Sequence, residues 1–268
     1  MHTSSSGTAV VTGASSGIGA VYADRLARRG HDLILVARDA SRMETLAEKL
    51  RAETGRAVEV LAADLTDGDD LNRVAKRIDS DAAITLLVNN AGMSLNGGLL
   101  ENEAPALERI IALNITAPTL LASAAGKAFK ARNKGAIINI ASVLALAPEM
   151  FDGVYSGTKA YLLNLSLSLS QQFADSNVHV QAVLPGATRT EIWERSGKDV
   201  DSFPPEIVMG VDDLVDASLL GFDRGETVTI PPLADEGLWE TFDAARKAMG
   251  PHLSRRDVAP RYREAVDA

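Results

Sequence analysis

With 268 residues, 46% of them apolar, the chain has the length for one large α/β domain and enough hydrophobic material to fill its core. A net charge of −9, from 36 acidic and 27 basic residues, argues against a nucleic-acid or anionic-membrane surface. There is no cysteine, which excludes disulfides and thiolate metal sites, and the four histidines (His2, His31, His179, His252) lack an HExxH spacing, so no metal is expected.

Residues 1–7 are short and polar, without the basic region and cleavage site of a signal peptide. No run approaches 18 consecutive apolar residues, so a cytoplasmic protein without a transmembrane helix is expected. Beyond this point, strands are predicted at 8–11, 33–36, 58–61, 85–88, 136–140, 178–183 and 227–230. They are near-continuously apolar, as strands buried on both faces are. Between them, helical patterns cover 17–29, 41–53, 69–78, 105–131, 154–174 and 212–220. The alternation predicts a parallel sheet covered on both sides, in one domain spanning 1–268. Residues 187–210 break the rhythm and read as a substrate loop. Pro231-Pro232 stops the last strand, and 231–268 reads as an amphipathic helix at 235–249 followed by a charged tail.

The first strand runs into Gly13-Ala14-Ser15-Ser16-Gly17-Ile18-Gly19, which opens the first helix. Glycines there permit a tight turn and close backbone approach, and the helix N-terminus offers N–H groups to a pyrophosphate. The second strand ends at Arg38 rather than at an acidic residue that would hold a ribose 2′-hydroxyl. A guanidinium there suits a 2′-phosphate, so NADP(H) is preferred, with NAD(H) as the alternative. Asp64-Leu65 follows the third strand, where Asp64 can reach an adenine edge, although 64–67 is also a helix-capping segment with Thr66 or Asp67 as the cap. Asn89-Asn90-Ala91-Gly92 closes the fourth strand as a turn suited to line a cofactor without bulk.

Asn114 lies within an apolar helix, where its amide must find partners. It either bonds to the backbone or, with Lys159, holds a proton-relay water. Ser142 ends the fifth strand at the carboxyl edge, where open α/β sheets place ligands. Tyr155 and Lys159 stand four residues apart and project from one face of the next helix. An ammonium beside a phenol, with the positive nicotinamide ring of the oxidised cofactor, favours the phenolate and lowers its pKa, fitting Tyr155 for proton transfer while Ser142 holds the substrate oxygen. Pro185-Gly186-Ala187-Thr188-Arg189-Thr190 follows the sixth strand, placing backbone groups, Thr188 and Thr190 near a nicotinamide and phosphates.

In order and spacing, TGASSGIG, Asn89-Asn90-Ala91-Gly92, Asn114, Ser142, Tyr155, Lys159 and Pro185-Gly186 resemble the short-chain dehydrogenase/reductase family over residues 8–230. The resemblance implies a Rossmann-type doubly wound sheet of about seven strands and a catalytic tetrad of Asn114, Ser142, Tyr155 and Lys159. It also implies that Lys159 binds the nicotinamide ribose. A homodimer or homotetramer is implied as well, joined through the helices near 105–131 and around Tyr155. Many members end in a short glycine-containing strand that builds a tetramer; here Pro231-Pro232 and an extra helix stand in its place.

The expected activity is NADP-dependent hydride transfer at a carbonyl or alcohol. Pocket walls are expected from 143–150, 93–95 and 190–209, with Leu144, Leu146, Met150, Phe151, Ile192 and Trp193 making the substrate a hydrophobic ketone or aldehyde. One alternative is a 3-oxoacyl thioester reductase docking an acidic carrier protein on Lys127, Lys130, Arg132 and Lys134. These cations equally suit a helix C-terminus. The other alternative is a non-catalytic cofactor sensor on the same fold.

Overall fold

In the computed structural model, which describes residues 6–197 and 199–263, β1 (Thr8–Thr12), β2 (Asp32–Ala37), β3 (Val58–Ala62), β4 (Ile84–Asn89), β5 (Gly135–Ile140), β6 (Val178–Val183) and β7 (Val228–Thr229) form one sheet. The sequence readings at 1–5, Lys198 and 264–268 lie outside the described residues. All pairings are parallel, in the order β3-β2-β1-β4-β5-β6-β7. The order reverses between β1 and β4, and ligands of such sheets bind in the crevice outside that switch point.

Helices cover both faces: α1 (Gly17–Arg28), α2 (Ala40–Thr54), α3 (Gly68–Ser80), α4 (Ala104–Ile111), α5 (Ala117–Arg132), α6 (Gly153–Gln172), α7 (Ile192–Arg195) and α8 (Val211–Asp223). The strand period of two sorts the core. Val11, Leu35, Val88 and Ile138 point to Tyr22, Leu26, Met43, Leu50, Val215 and Leu219 of α1, α2 and α8. Their neighbours Val10, Ile34, Leu87 and Ile137 point to Val74, Ile78, Leu121 and Phe129 of α3 and α5. Each such buried side chain contributes about 1.5–3 kcal/mol.

Three expectations need correction. β3 is the sheet edge and is largely not buried, with Glu59 exposed and paired to Arg77 at 2.9 Å. β7 has two residues rather than four. The predicted helix at 105–131 is α4 and α5 joined by a π-helical turn, Ala112–Thr116, whose exit is an N–H bond from Ala117 to the carbonyl of Ala112. Pro118 lacks the N–H that an α-helix would return to residue 114, which accounts for the widened turn. The stretch Ala104–Arg132 has no run of 18 consecutive apolar residues, although it is long and apolar enough to cross a membrane by length and composition. It lies on the sheet, with Leu121, Ala122, Ala125 and Phe129 in the core.

The chain divides into two compact units, Met1–Pro232 and Leu233–Ala268. The second contains α9 (Glu236–Met249), capped by Asp235, whose carboxylate accepts from the N–H of Gly237.

Candidate active site

The loop after β1 is shaped by its glycines. Gly13 (φ 66°) and Gly17 (φ 53°) occupy the left-handed region, and a Cβ on Gly19 would lie 2.3 Å from the carbonyl oxygen of Gly13. Thr12 fastens this loop to the turn after β4: its hydroxyl donates to Val88 O (3.2 Å) and accepts from the N–H groups of Asn90 (2.9 Å) and Ala91 (3.0 Å). Asn90 Nδ2 donates back to Thr12 O at 2.8 Å. Sequence reading assigned nothing to Thr12, although a threonine ending a buried strand needs a partner.

α2, α3, α6 and α9 are each capped by an aspartate. α1 differs: Ser16 makes no side-chain cap, and the first turn carries no acidic residue. Its N-terminal dipole and N–H groups are therefore left for an anion, and the glycines leave room for it, so this loop fits a dinucleotide pyrophosphate. Ser15, Ser16 and Ile18 are half-buried on the rim, and Thr190 Cγ2 stands 3.3 Å from where a Cβ of Gly17 would be.

Around this loop the other predicted cofactor residues divide. Arg38 is exposed at the carboxyl edge and makes no ion pair among the described residues. Asp64 Oδ1 accepts from the N–H (3.0 Å) and hydroxyl (2.7 Å) of Thr66 and its Oδ2 lies 3.5 Å from Arg109 Nη2, while Asp67 caps α3. Two of the assigned residues have buried side chains. The Leu65 side chain is buried in the core, leaving only its backbone for a ligand. Thr188 is also buried, with its hydroxyl donating to Gly186 O at 3.0 Å, because the neck of the 187–210 loop folds inward there.

At the carboxyl edge of β5 the remaining residues converge. Lys159 is buried, and its Nζ donates to Ile140 O at 2.9 Å and sits 5.6 Å from the Tyr155 ring centroid. A Cβ on Gly92 would lie 3.3 Å from Asn114 Oδ1 and 3.4 Å from Lys159 Nζ, so both groups border this glycine. Asn114, in the π turn, accepts from the N–H of Met93 and donates to its carbonyl, both at 2.9 Å, and donates to Thr158 Oγ1 at 3.1 Å. Its amide hydrogens are thus occupied by protein, and of the two readings of Asn114 the structure displays the backbone-bonded one. Asp152 caps α6, accepting from the N–H groups of Val154 and Tyr155 at 3.0 Å, which fixes Tyr155 in the first turn.

Burial pushes the Tyr155 phenol up to about 12, with the hydrogen bond to Ser142 pulling the other way. Burial pushes the Lys159 ammonium down to about 8. In the protein alone Nζ is turned to the Ile140 carbonyl and desolvation dominates at Tyr155; the expected lowering draws on the nicotinamide ring as well as on Lys159. Ser142 is buried, accepts from the N–H of Leu144 at 3.2 Å, and lies 3.5 Å from Pro185 O.

An aromatic series leads outward from the phenol. Phe151 meets Tyr155 edge-on (5.9 Å, 72°) and Trp193 edge-on (6.4 Å, 86°), and Trp193 meets Phe203 at 4.9 Å. Trp193 Nε1 donates to Thr188 O at 2.8 Å. Leu144, Leu146 and Ile192 are half-buried in the same segments, whereas Met150 is 72% exposed and Leu95 is buried in the interior. Phe203 went unnoticed in the sequence because the loop has no periodicity to mark it.

A short-chain dehydrogenase family model matches residues 7–201. Human 17-beta-hydroxysteroid dehydrogenase type 3 is 33% identical over 184 residues, covering 68% of this chain and 59% of that protein. The very-long-chain 3-oxoacyl-CoA reductase of Podospora anserina is 35% identical over 181 residues, covering 66% of this chain and 53% of its own. The chain thus spans little more than half the length of these two relatives. Among solved structures, a short-chain dehydrogenase from Sphingobium yanoikuyae in complex with NADPH is 52% identical with a TM-score of 0.93, covering 96% of this chain and all of that one (100%). The bulky-bulky ketone specific alcohol dehydrogenase from Comamonas testosteroni is 45% identical with a TM-score of 0.88, covering 96% and 98%. The fold, the motifs and these likenesses agree: the chain belongs to the short-chain dehydrogenase family of oxidoreductases.

Proposed function

We propose that the protein transfers hydride between NADP(H) and a bulky, hydrophobic ketone or its alcohol. The observation that carries this reading is the pairing of the Ser142 and Tyr155 hydroxyls at the carboxyl edge of β5, with buried Lys159 one helical turn beyond. When bound, the nicotinamide supplies or accepts the hydride. Ser142 Oγ donates a hydrogen bond to the carbonyl oxygen, and Tyr155 Oη gives that oxygen its proton. Lys159, protonated below about pH 8, stabilises the phenolate left behind. Asn114 holds the Met93 backbone and Thr158 in place around the site, and as a relay anchor it would engage water through Oδ1.

Arg38 is the residue proposed to favour the 2′-phosphate of NADP(H) over the bare ribose of NAD(H). The NADPH in the Sphingobium structure supports that preference. The aromatic series supports a large apolar substrate, as does the ketone specificity named for the Comamonas enzyme. Self-association through α4, α5 and α6 belongs to the same proposal, with Ile111 and Leu120 exposed on the first two. A carrier-protein reductase is less well supported. Lys127, Lys130, Arg132 and Lys134 lie at the end of α5 and start of β5, the sheet edge opposite the phenol, and Arg132 donates to the carbonyls of Asp81 and Ile84.

The test is NADPH oxidation across ketones of graded bulk, with NADH in parallel. Turnover of bulky ketones that stops with Tyr155→Phe supports the reading. NADPH binding without turnover of any carbonyl overturns it in favour of a sensor.

A further inference from the structure

Three arginines from separate parts of the chain gather at the adenosine end of the proposed cofactor cleft. Arg38 follows β2, Arg42 lies in the first turn of α2, and Arg195 ends α7 in the 187–210 loop. Glu191 joins two of them across the cleft. Its carboxylate accepts from Arg42 Nη1 through both oxygens (3.0 and 2.9 Å) and from Arg195 Nη2 at 2.5 Å. Arg195 Nη2 also stands 3.5 Å from Ser16 Oγ in the glycine loop. Hydrogen bonding from Arg42 is the main cause holding the Glu191 carboxyl below its usual range.

The charge is not balanced. Four guanidiniums, Arg38, Arg42, Arg109 and Arg195, stand against three carboxylates: Glu191, Asp64, on which Arg38 and Arg109 both act, and Asp39, which is 3.7 Å from Arg42 Nε and already caps α2. The loop is closed at its neck by the Thr188–Met209 bridge and meets Gly17 through Thr190. The Arg42–Glu191 pair is a further tie, reaching across to the wall on which a 2′-phosphate would sit.

We propose that Arg42, Glu191 and Arg195 form a clasp through which a 2′-phosphate fastens the substrate loop over the cofactor. The inference rests on the cofactor preference proposed above. A dianionic phosphate beside Arg38 neutralises the surplus positive charge and favours the arrangement in which Arg195 lies against Ser16. A cofactor lacking that phosphate leaves the surplus uncompensated, so the loop opens more often. Glu191 is a positioning residue: it touches neither the reacting atoms nor the phosphate, and it keeps two cations side by side.

Full-length protein is digested with trypsin in saturating NADPH, in saturating NADH and without cofactor. Cleavage after exposed Arg189 is timed, and Kd for each cofactor is measured by fluorescence titration. In the wild type NADPH should slow cleavage about fivefold more than NADH, the span expected for one or two half-exposed ion pairs. Glu191→Gln should erase that difference while leaving Kd for NADPH within about threefold, because all three cations remain. It should raise KM for the ketone more than it lowers kcat. Arg195→Gln, which keeps the Arg42–Glu191 pair, should lose the same protection. Tighter binding of NADPH than NADH with equal protection overturns the clasp and leaves the cofactor preference standing. Equal affinity for the two cofactors overturns the preference, and the clasp with it. Protection that survives in Glu191→Gln, or a collapse of NADPH binding there, also overturns the clasp.

Discussion

The β5–α6 edge and the 187–210 loop meet around the same aromatic series, yet different forces hold them. At the edge, Lys159 and Asn114 are buried and bonded to the backbone of Ile140 and Met93, and Asp152 pins the first turn of α6. Leaving one such buried group unpaired costs about 1–3 kcal/mol. In the loop, Arg189–Asp201, Arg42–Glu191 and Arg195–Glu191 lie half exposed, and pairs of this kind contribute about 0–1 kcal/mol each. The edge fixes the proposed proton donor through buried hydrogen bonds, whereas the loop is tied by exposed ion pairs that cost little to break. In the proposed reaction the groups that must be placed to a fraction of an ångström sit in the first region, and discrimination among substrates is proposed for the second.

The largest effect should come from the edge. Tyr155→Phe removes the proton donor while keeping the ring that packs on Phe151, so kcat should fall by about 10²–10⁴. NADPH affinity, read by fluorescence titration, should stay nearly unchanged. Retention of most of the turnover would move the proton donor elsewhere.

The next effect is in pH. The Tyr155 phenol, held at about 12, stays protonated across the working range, so the group that titrates first is Lys159 at about 8. Below that value the ammonium is present to stabilise the phenolate; as pH rises through it the proton is lost. The kcat/KM for ketone reduction should be level below about pH 8 and decline above it. Lys159→Met should be slow at every pH and lack that limb.

A smaller and chiefly structural effect is expected at the glycine loop. Gly19→Ala puts a methyl 2.3 Å from the Gly13 carbonyl and 2.5 Å from Asn90 Nδ2, forcing the two turns apart. Overpacking of this kind costs about 1–3 kcal/mol. Tm should fall, and NADPH should bind more weakly in the same variant. Unchanged cofactor affinity would separate the glycine loop from the dinucleotide.

These predictions follow how legible each region was in the sequence. Gly13, Gly17, Gly19, Ser142, Tyr155 and Lys159 could be placed because strand ends and the i, i+4 spacing carry them to one sheet edge. Leu65 and Thr188 were placed on the right turns, but their side chains point into the interior. Position along a turn does not determine which way a side chain faces. The π turn at Asn114 was hidden by an apolar pattern that reads as one helix, although Pro118 four residues on marks it. Glu191 and Arg42 are 149 residues apart and leave no periodic trace. The edge was legible because backbone geometry dictates it, and the loop was not because long side chains from distant segments hold it.

Phe203 gives the smallest effect and the sharpest separation of the two regions. Among the described residues its ring meets the aromatic series at Trp193, at the far end from Tyr155. Phe203→Ala should therefore leave kcat for a small aldehyde unchanged, since the phenol, the serine and the lysine do not sense it. For a bulky aryl ketone it should raise KM several-fold, as expected from losing an aromatic pair contact of about 0.5–1.5 kcal/mol. Trp193 has a second anchor, the bond from Nε1 to Thr188 O, so the loop should stay folded and Tm should barely move. A uniform loss on both substrates would mean the ring supports the edge instead of the pocket, and the division between a fixed chemical edge and a detachable selective loop would fail at that residue.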